Sequence, residues 1–248
     1  PQLLFAYYAA PYDSAMVSRL LSEAAGPGCQ LHGATSCLGS MTDEGFHSEE
    51  GVGMSLWGLD DPEGSYGTGM ADIGTDPAEA AVAALEQALE QSGRLGEVPT
   101  LVWINGAPGE EEALIAGIES LLGADVPIAG GSSGDNTVTG EWAQIANGEF
   151  RQSAVVVTVL FPSTEISYAF HSGYDPTQTR GVATRCEGRT LIEIDGRPAA
   201  EVYNEWTGGA IAEVLPEGGN VLALTTLFPF GRVAGEVGGL PYYKLSHP

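Results

Sequence analysis

Lysine is almost absent from this 248-residue sequence. Lys244 is the only one, and the arginines bring the basic total to nine, against 33 acidic residues. The formal net charge is −24. A surface this negative repels phosphate backbones and anionic lipids, so we exclude nucleic acids and membranes as direct partners. The composition is also compatible with a salt-rich habitat, in which an acidic surface stays hydrated.

Cysteines and long apolar runs are also scarce. The three cysteines are Cys29, Cys37 and Cys186, an odd number without a CxxC pair. This argues against a disulfide framework and against a cysteine-based zinc site, and HxxxH spacing is absent as well. We therefore expect reduced thiols and a cytoplasmic protein. No run of 18 apolar residues occurs, so we expect no membrane-spanning segment.

Both ends of the sequence are abrupt. It opens without an initiator Met directly on the strand-like Leu3–Tyr7, and it closes on the strand-like Leu240–Pro248. We therefore expect the chain to be a piece of a longer protein.

The first half of the sequence alternates strand and helix signals. Hydrophobic residues make up 43% of the chain and charged residues 17%, which is typical of globular proteins. Short apolar runs predict buried strands, and Asp13 and Asp76 are placed to cap the helices that follow them. This alternation predicts a mixed, largely parallel β-sheet flanked by helices.

The second half reads as a series of short strands at close spacing. Turn signals separate them at Asn147-Gly148, Glu187-Gly188 and Asp195-Gly196. Pro198 opens one helix between them. The predicted fold class is therefore α/β (α+β): a mixed sheet flanked by helices in the first half, then an antiparallel, strand-rich second half.

The segment Val126–Asn136 carries the strongest functional signal. An apolar strand runs into a loop of glycines, serines, an aspartate and an asparagine. Ligands of open α/β sheets bind where strands end, and glycine allows a close backbone approach. No lysine follows the glycines and no GxGxxG is present, so nucleotides are not the first expectation. The structural alternative is that Asp135 only caps a turn.

Two further strands end in polar residues, at Thr35 and at Asn105. On one parallel sheet these ends would lie at the same edge as the glycine loop and line one crevice. We predict neither catalytic residues nor metal ligands there. The predicted ligand-binding residues are Thr35, Ser36, Cys37, Asn105, Gly130, Gly131, Ser132, Ser133, Asp135 and Asn136.

Five segments, in this order, resemble the FIST domain of bacterial and archaeal sensory proteins: Leu3–Ala6 with Tyr12, Leu31–Ser36, Pro127–Asp135, Val182–Gly188 and Leu191–Tyr203. The resemblance covers roughly Leu3 to Trp206. It implies a FIST N-terminal-like sensory domain over residues 1–207 and the beginning of a FIST C-terminal-like region over 208–248. The family's cysteine after the glycine is Ala34 here, so no role tied to that cysteine is carried over.

The resemblance implies a non-enzymatic sensory module of intracellular signal transduction. Its ligand would be a small polar metabolite such as an amino acid, with no cofactor, and its partner a signalling protein such as a histidine kinase or a cyclase. One alternative is a haem-based nitric-oxide sensor with His171 or His47 as the iron ligand. Another is a Cys- or Ser-dependent hydrolase, in which Cys37 would need a nearby base such as His32 or His47.

Overall fold

The computed structural model describes residues 1–168, 173–237 and 240–248. The chain forms two compact units, Pro1–Ser167 and Tyr168–Pro248. The resemblance places a boundary at residue 207, between the N-terminal-like and the C-terminal-like region of the family. That boundary is a different one from the division into compact units, and it stays a prediction.

The first unit contains a five-stranded sheet. Strands β1 (Leu3–Ala9) and β2 (Gln30–Ser36) are parallel, and the other neighbouring strands of this sheet are antiparallel. A parallel pair needs a crossover connection, and helix α1 (Ser14–Ala25) supplies it between β1 and β2. In spatial order the strands are β10 (Glu149–Arg151), β9 (Gln144–Ala146), β2 (Gln30–Ser36), β1 (Leu3–Ala9) and β5 (Met54–Leu59).

The first unit also contains a four-stranded sheet. Its parallel pair, β7 (Leu101–Gly106) and β8 (Ile128–Ser132), is joined by helix α3 (Glu111–Leu122). Strand β8 lies at the edge of the sheet. A small hairpin of β3 (Ser40–Thr42) and β4 (Gly45–His47) follows β2. In spatial order the sheet contains β6 (Ser65–Asp72), β11 (Ala154–Phe161), β7 (Leu101–Gly106) and β8 (Ile128–Ser132).

The first unit is layered as helix, sheet, sheet, helix. Helix α1 packs through Val17 on the outer face of the five-stranded sheet. Phe5 of that sheet packs against Leu160 of the other, so the two sheets share an apolar interior. Helices α2 (Pro77–Gln91) and α3 cover the far face of the four-stranded sheet, burying Leu85 and Ile118. The polar side chains of the candidate site are therefore held on two stacked sheets.

The sequence pattern does not predict strand β6, and the packing of helix α2 against it shows why. Asp76 caps the helix by accepting a hydrogen bond from the Glu79 N–H, as predicted. The helix lies so close to β6 that a Cβ on Gly69 would come within 2.1 Å of the Ala84 carbonyl oxygen. Glycine weakens a strand signal, yet here it is what allows the helix to approach the strand.

The described residues of the second unit form short antiparallel strands and two helices. Between β13 and β14, Asp195 and Gly196 both have positive φ, 51° and 74°, which confirms the predicted Asp-Gly turn. The elements are β12 (Ala183–Glu187), β13 (Thr190–Ile194), β14 (Arg197–Pro198), α4 (Ala199–Trp206), α5 (Leu222–Thr225), β15 (Phe230–Val237) and β16 (Leu240–Ser246).

The fold class is confirmed, with two corrections in detail. The strands of the first half form two stacked sheets, because β5 and β9 pair on either side of β1 and β2 instead of extending the β7–β8 pair. The second correction concerns one of the short strands that the sequence pattern predicts in the second half, Ile166–Phe170. Residues 166–168 do not form a strand, and the rest of this segment lies outside the described residues. Within the described part of the chain, the helices are all too short or too polar to span a membrane.

Candidate functional site

Strand β8 lies at the edge of its sheet in the described part of the chain, so its outer side presents backbone groups that no neighbouring strand there pairs with. Val102 N–H donates to the Pro127 carbonyl at 3.0 Å, and Ser133 N–H donates to the Gly106 carbonyl at 2.9 Å. In a parallel ladder, alternate residues bond to the same neighbour, so the odd-numbered residues of β8 face β7. Gly130 and Ser132 therefore point their N–H and C=O groups away from the sheet.

A groove of about 230 Å³ lies between this edge and helix α3. Gly106 and Gly130 contribute no side chains to it, which leaves room above the sheet. Its walls are mainly apolar, with polar groups from Ser132 and Glu111. The lining residues are Ile104, Gly106, Glu111, Leu114, Ile115, Ile128, Ala129, Gly130, Gly131 and Ser132.

Glu111 brings a carboxylate to the groove at the first turn of α3. Its Oε1 accepts a hydrogen bond from the Ser132 hydroxyl at 2.7 Å and another from the Gly109 N–H at 3.0 Å. These two bonds tie the start of the helix to the end of β8. The arrangement suits a small molecule with an apolar part and a hydrogen-bonding or cationic end.

The two adjacent glycines are predicted from the sequence to lie in the loop but belong to strand β8, and they have different structural roles. Gly130 has φ of +138°, and a Cβ there would lie 1.8 Å from the Ile104 carbonyl oxygen. A Cβ on Gly131 would meet no atom within 4 Å. Gly130 is therefore required by the strand, whereas Gly131 leaves open space beside the groove.

Asp135 organises its own loop. Its buried carboxylate accepts hydrogen bonds from four backbone N–H groups, at distances between 2.8 and 3.2 Å. Burial acts to raise the pKa of Asp135, but the N–H groups together lower it below its ordinary value. The structure thus places this carboxylate in the turn-capping role. The donors are Thr137, Thr139, Gly140 and Glu141.

Thr35 and Ser133 fasten this loop to the five-stranded sheet. Gly134 N–H donates to the Thr35 carbonyl at 2.9 Å, and the Thr35 hydroxyl accepts from the Ala143 N–H at 2.9 Å. The Ser133 hydroxyl accepts from the Gln144 amide at 2.8 Å. Both side chains are buried, so they hold the loop in place rather than reach the groove.

Asn136 joins three loops at the end of β2. Its Oδ1 accepts from the Leu38 N–H at 2.7 Å, and its Nδ2 donates to the Gly51 carbonyl at 2.9 Å. Beside it, the Ser36 hydroxyl donates to the Gly39 carbonyl. Cys37 is exposed, and burial together with the Asp135 charge raises the pKa of its thiol. A raised pKa is the opposite of what a thiolate nucleophile needs.

Asn105 belongs to a buried polar network between the two sheets. Its Nδ2 donates to the Gly131 carbonyl at 2.9 Å. Its Oδ1 therefore faces Tyr7, whose hydroxyl donates to it at 2.7 Å. The Trp103 indole N–H donates in turn to the Tyr7 oxygen at 2.7 Å. The network links the back of the groove strand to β1.

His32 continues the same network on the β2 side. Its Nε2 lies 2.8 Å from Asn105 Oδ1, and its Nδ1 lies 2.8 Å from Thr158 Oγ1. Since Asn105 Oδ1 can only accept, Nε2 carries the proton and Nδ1 accepts from the Thr158 hydroxyl. Burial lowers the pKa of His32 to about 4, and the Asn105 bond offsets part of that fall. His32 is therefore neutral at pH 7.

The two histidines of the haem alternative are His47 and His171. His47 is exposed, and its Nε2 lies 2.6 Å from the Thr42 hydroxyl oxygen. His171 lies outside the described residues. His47 is not among the residues that line the groove.

The predicted site residues thus fall into three groups. Gly130, Gly131 and Ser132 line the groove. Ser36, Cys37 and Asn136 lie at the loop end. The remaining four are buried and hold the loop or the sheets in place: Thr35, Asn105, Ser133 and Asp135.

Sequence reasoning missed residues on both sides of the site. Glu111 stands in an acidic run that is typical of a solvated helix start. Tyr7 lies in an apolar strand, where a single polar group reads as an ordinary core residue. His32 is considered from the sequence only as a possible base for Cys37, and not as part of a buried network. Thr158 is the sequence feature that points to the buried network, because its hydroxyl lies in the middle of the valine-rich strand β11.

The sequence is similar to known proteins. Residues 2–197 match the model of the FIST N domain family. A 90-residue segment is 31% identical to the uncharacterized protein MJ1623 of Methanocaldococcus jannaschii. That segment covers 36% of this chain and 18% of the relative, so the match spans well under two thirds of the relative's length.

Proposed function

The chain belongs to the FIST N domain family, which is associated with sensory signal transduction, and we propose that it senses a small polar metabolite, such as an amino acid, bound in the groove between β8 and α3. The module acts by binding and not by catalysis. A ligand that binds one conformation better than another shifts the population seen by a signalling partner.

The groove carries this proposal, because it joins an apolar floor to a few convergent polar groups, as small-molecule sites do. Its volume of about 230 Å³ suits a metabolite rather than a drug-sized ligand. Three of the residues predicted from the sequence line it: Gly130, Gly131 and Ser132.

The polar groups are matched to an amino acid with an apolar side chain. The Glu111 carboxylate attracts an ammonium group, and the outward N–H groups of Gly130 and Ser132 offer hydrogen bonds to a carboxylate. Ile115 and Ile128 provide apolar contact for the side chain.

A thermal-shift screen of amino acids and related metabolites tests the proposal. Binding to the native state raises the melting temperature, by the equivalent of about 2.7 kcal/mol at a ligand concentration of 100 Kd. We expect the shift to be lost in Glu111→Gln and kept in Glu112→Gln. Glu112 is a matched control because it is exposed on the same helical turn but does not line the groove.

Two results would sink the proposal: no compound raises the melting temperature, or the shifts persist unchanged in Glu111→Gln. Asp135→Ala is a poor probe of binding, because the Asp135 carboxylate holds its own loop and its loss alters that loop directly.

A further inference from the structure

Four large apolar side chains are exposed together at the loop end of the first unit. Leu38 is 49% exposed, Met41 70%, Phe46 59% and Val138 43%. We call these four residues the loop patch. Single exposed apolar residues are common, but a cluster of them on loops is typical of an interaction surface.

Several contacts make the loop patch one surface. Met41 pairs directly with Phe46 across the β3–β4 hairpin. A Cβ on Gly39 would lie 2.8 Å from the Phe46 ring, so that ring covers the loop that carries Leu38. Asn136 binds the Leu38 N–H and stands two residues before Val138. The patch is thus joined through the hairpin and the Asn136 connections.

The backbone beneath the patch is strained. Leu38 has φ of 60°, Glu50 53° and Val138 55°, a left-handed conformation that side chains other than glycine rarely adopt. Val138 is β-branched, which makes this conformation especially unfavourable. The Asp135 carboxylate and the Asn136 amide hold the strained loops in place. The strain does not serve core packing, because Leu38 and Val138 point into solvent.

Charge decides which partner the loop patch suits. Residues 36–53 and 133–142 contain no lysine or arginine. A second copy of the chain would bring like charges together, and anionic lipid would be repelled. A partner with basic groups around an apolar stripe is complementary. The acidic residues around the patch are Asp43, Glu44, Glu49, Glu50 and Glu141.

We propose that the loop patch docks a basic amphipathic segment of a partner protein. The apolar side chains of that segment cover Met41 and Phe46, and its lysines or arginines face the acidic rim. The loop that begins beside the groove at Ser132 carries Val138 into this surface. Docking is a second function of that loop, and it does not require a ligand in the groove.

Fluorescence anisotropy with a labelled helical peptide tests the proposal. The probe is about 18 residues long, with leucines along one face and lysines on the other. A peptide with serines in place of the leucines has the same charge and controls for general attraction to an acidic protein. We expect the leucine–lysine peptide to bind more tightly and its affinity to fall with added salt.

Variants locate the binding. We expect Met41→Ser with Phe46→Ser to weaken the leucine–lysine peptide at least about tenfold, as for loss of an apolar interface centre. Leu121→Ser is the control, since Leu121 is 45% exposed on helix α3 and lies outside the patch. Asp43→Asn with Glu44→Gln should reduce both the affinity and its salt dependence.

Three outcomes would overturn the proposal. The serine–lysine peptide could bind as tightly as the leucine–lysine peptide, or Leu121→Ser could weaken binding as much as the patch variants. The chain could also be a dimer that becomes monomeric in Phe46→Ser, which would make the patch a self-interface. Melting temperatures of the variants check folding, and a metabolite shift retained in Phe46→Ser separates this proposal from the groove.

Discussion

At the scale of single residues, the buried His32 makes the stability of the fold depend on pH. In the unfolded chain its pKa returns to about 6.5, whereas in the folded chain burial holds the pKa at about 4. Between these two values the unfolded state binds more protons, so acidification favours unfolding. The stability that neutral His32 provides is complete above pH 6.5 and is lost progressively as the pH falls towards 4.

We expect protonation of His32 to lower the free energy of unfolding by about 3 kcal/mol as the pH falls from 6.5 to 4. Urea denaturation followed by tryptophan fluorescence at several pH values measures this slope. His32→Gln is less stable at pH 7, because it disturbs the bonds to Asn105 and Thr158, but it should lack that part of the slope. Equal slopes in the two proteins would show that other groups cause the pH dependence.

Asp135 supports a second prediction at this scale. Its carboxylate accepts bonds from the N–H groups of Thr137, Thr139, Gly140 and Glu141. Asp135→Asn replaces one acceptor oxygen by a donor that faces these donors, so we expect a loss of about 3 kcal/mol in the free energy of unfolding. Urea denaturation measures it.

Glu141→Gln is the matched control for Asp135→Asn. Its exposed side chain belongs to the same loop, and we expect its effect to stay within about 0.5 kcal/mol. If Asp135→Asn were as mild as this control, the carboxylate would not be what holds the loop. Sequence reasoning could name Asp135 as a candidate but could not choose between ligand and loop, because the choice depends on which N–H groups surround it.

At the scale of elements, strand β8 holds two neighbouring glycines that the sequence cannot tell apart. Gly130→Ala would place a Cβ 1.8 Å from the Ile104 carbonyl oxygen at a φ of +138°. We expect it to lose about 3 kcal/mol or more of unfolding free energy, since backbone atoms cannot move aside cheaply. Gly131→Ala meets nothing within 4 Å, and we expect a change below about 1 kcal/mol.

The comparison of these two alanine variants by thermal and urea unfolding is its own control, because the substitutions are identical and adjacent. Similar losses in both would mean that β8 does not approach β7 as closely as described.

An element could be predicted from the sequence when the residues that determine it lie within or next to its own segment. Helices α1 and α2 are predicted from the caps Asp13 and Asp76, which lie directly before each helix. The parallel pairs β1–β2 and β7–β8 follow from strand–helix–strand order. The division into two sheets depends on β5 and β9 pairing with distant strands, and no local pattern records that. Strand β6 was missed because Gly69 serves a neighbouring helix.

At the scale of the whole molecule, the sequence predicted the family and the groove glycines but not the full groove. Its apolar wall comes from Ile115 on α3 and Ile104 on β7, which meet only after the sheet has formed. The carboxylate of Glu111 joins them from a helix start that looks like a solvated surface. A site assembled from three elements becomes visible only when their packing is known.

The net charge of −24 governs the behaviour of the whole chain in salt. Like charges repel in the compact state, and salt shortens the screening length from about 10 Å at 0.1 M to about 3 Å at 1 M. Salt also weakens ion pairs, but those of Arg19 with Glu23 and Arg197 with Glu205 are exposed and contribute little. Relief of repulsion is therefore the larger effect, and added salt should stabilise the fold.

We expect the melting temperature to rise by on the order of 5 °C between low salt and about 0.5 M NaCl. Calorimetry or fluorescence-monitored melting measures it, and sodium sulfate at equal ionic strength separates screening from general exclusion of the salt from the protein surface. A variant with amides at Asp43, Glu44, Glu49 and Glu50 keeps the core unchanged but removes four charges. Its melting temperature should be higher at low salt and should rise less with NaCl. If its salt dependence matched that of the parent chain, repulsion among surface charges would not be the cause, and the acidic rim of the loop patch would cost the fold nothing.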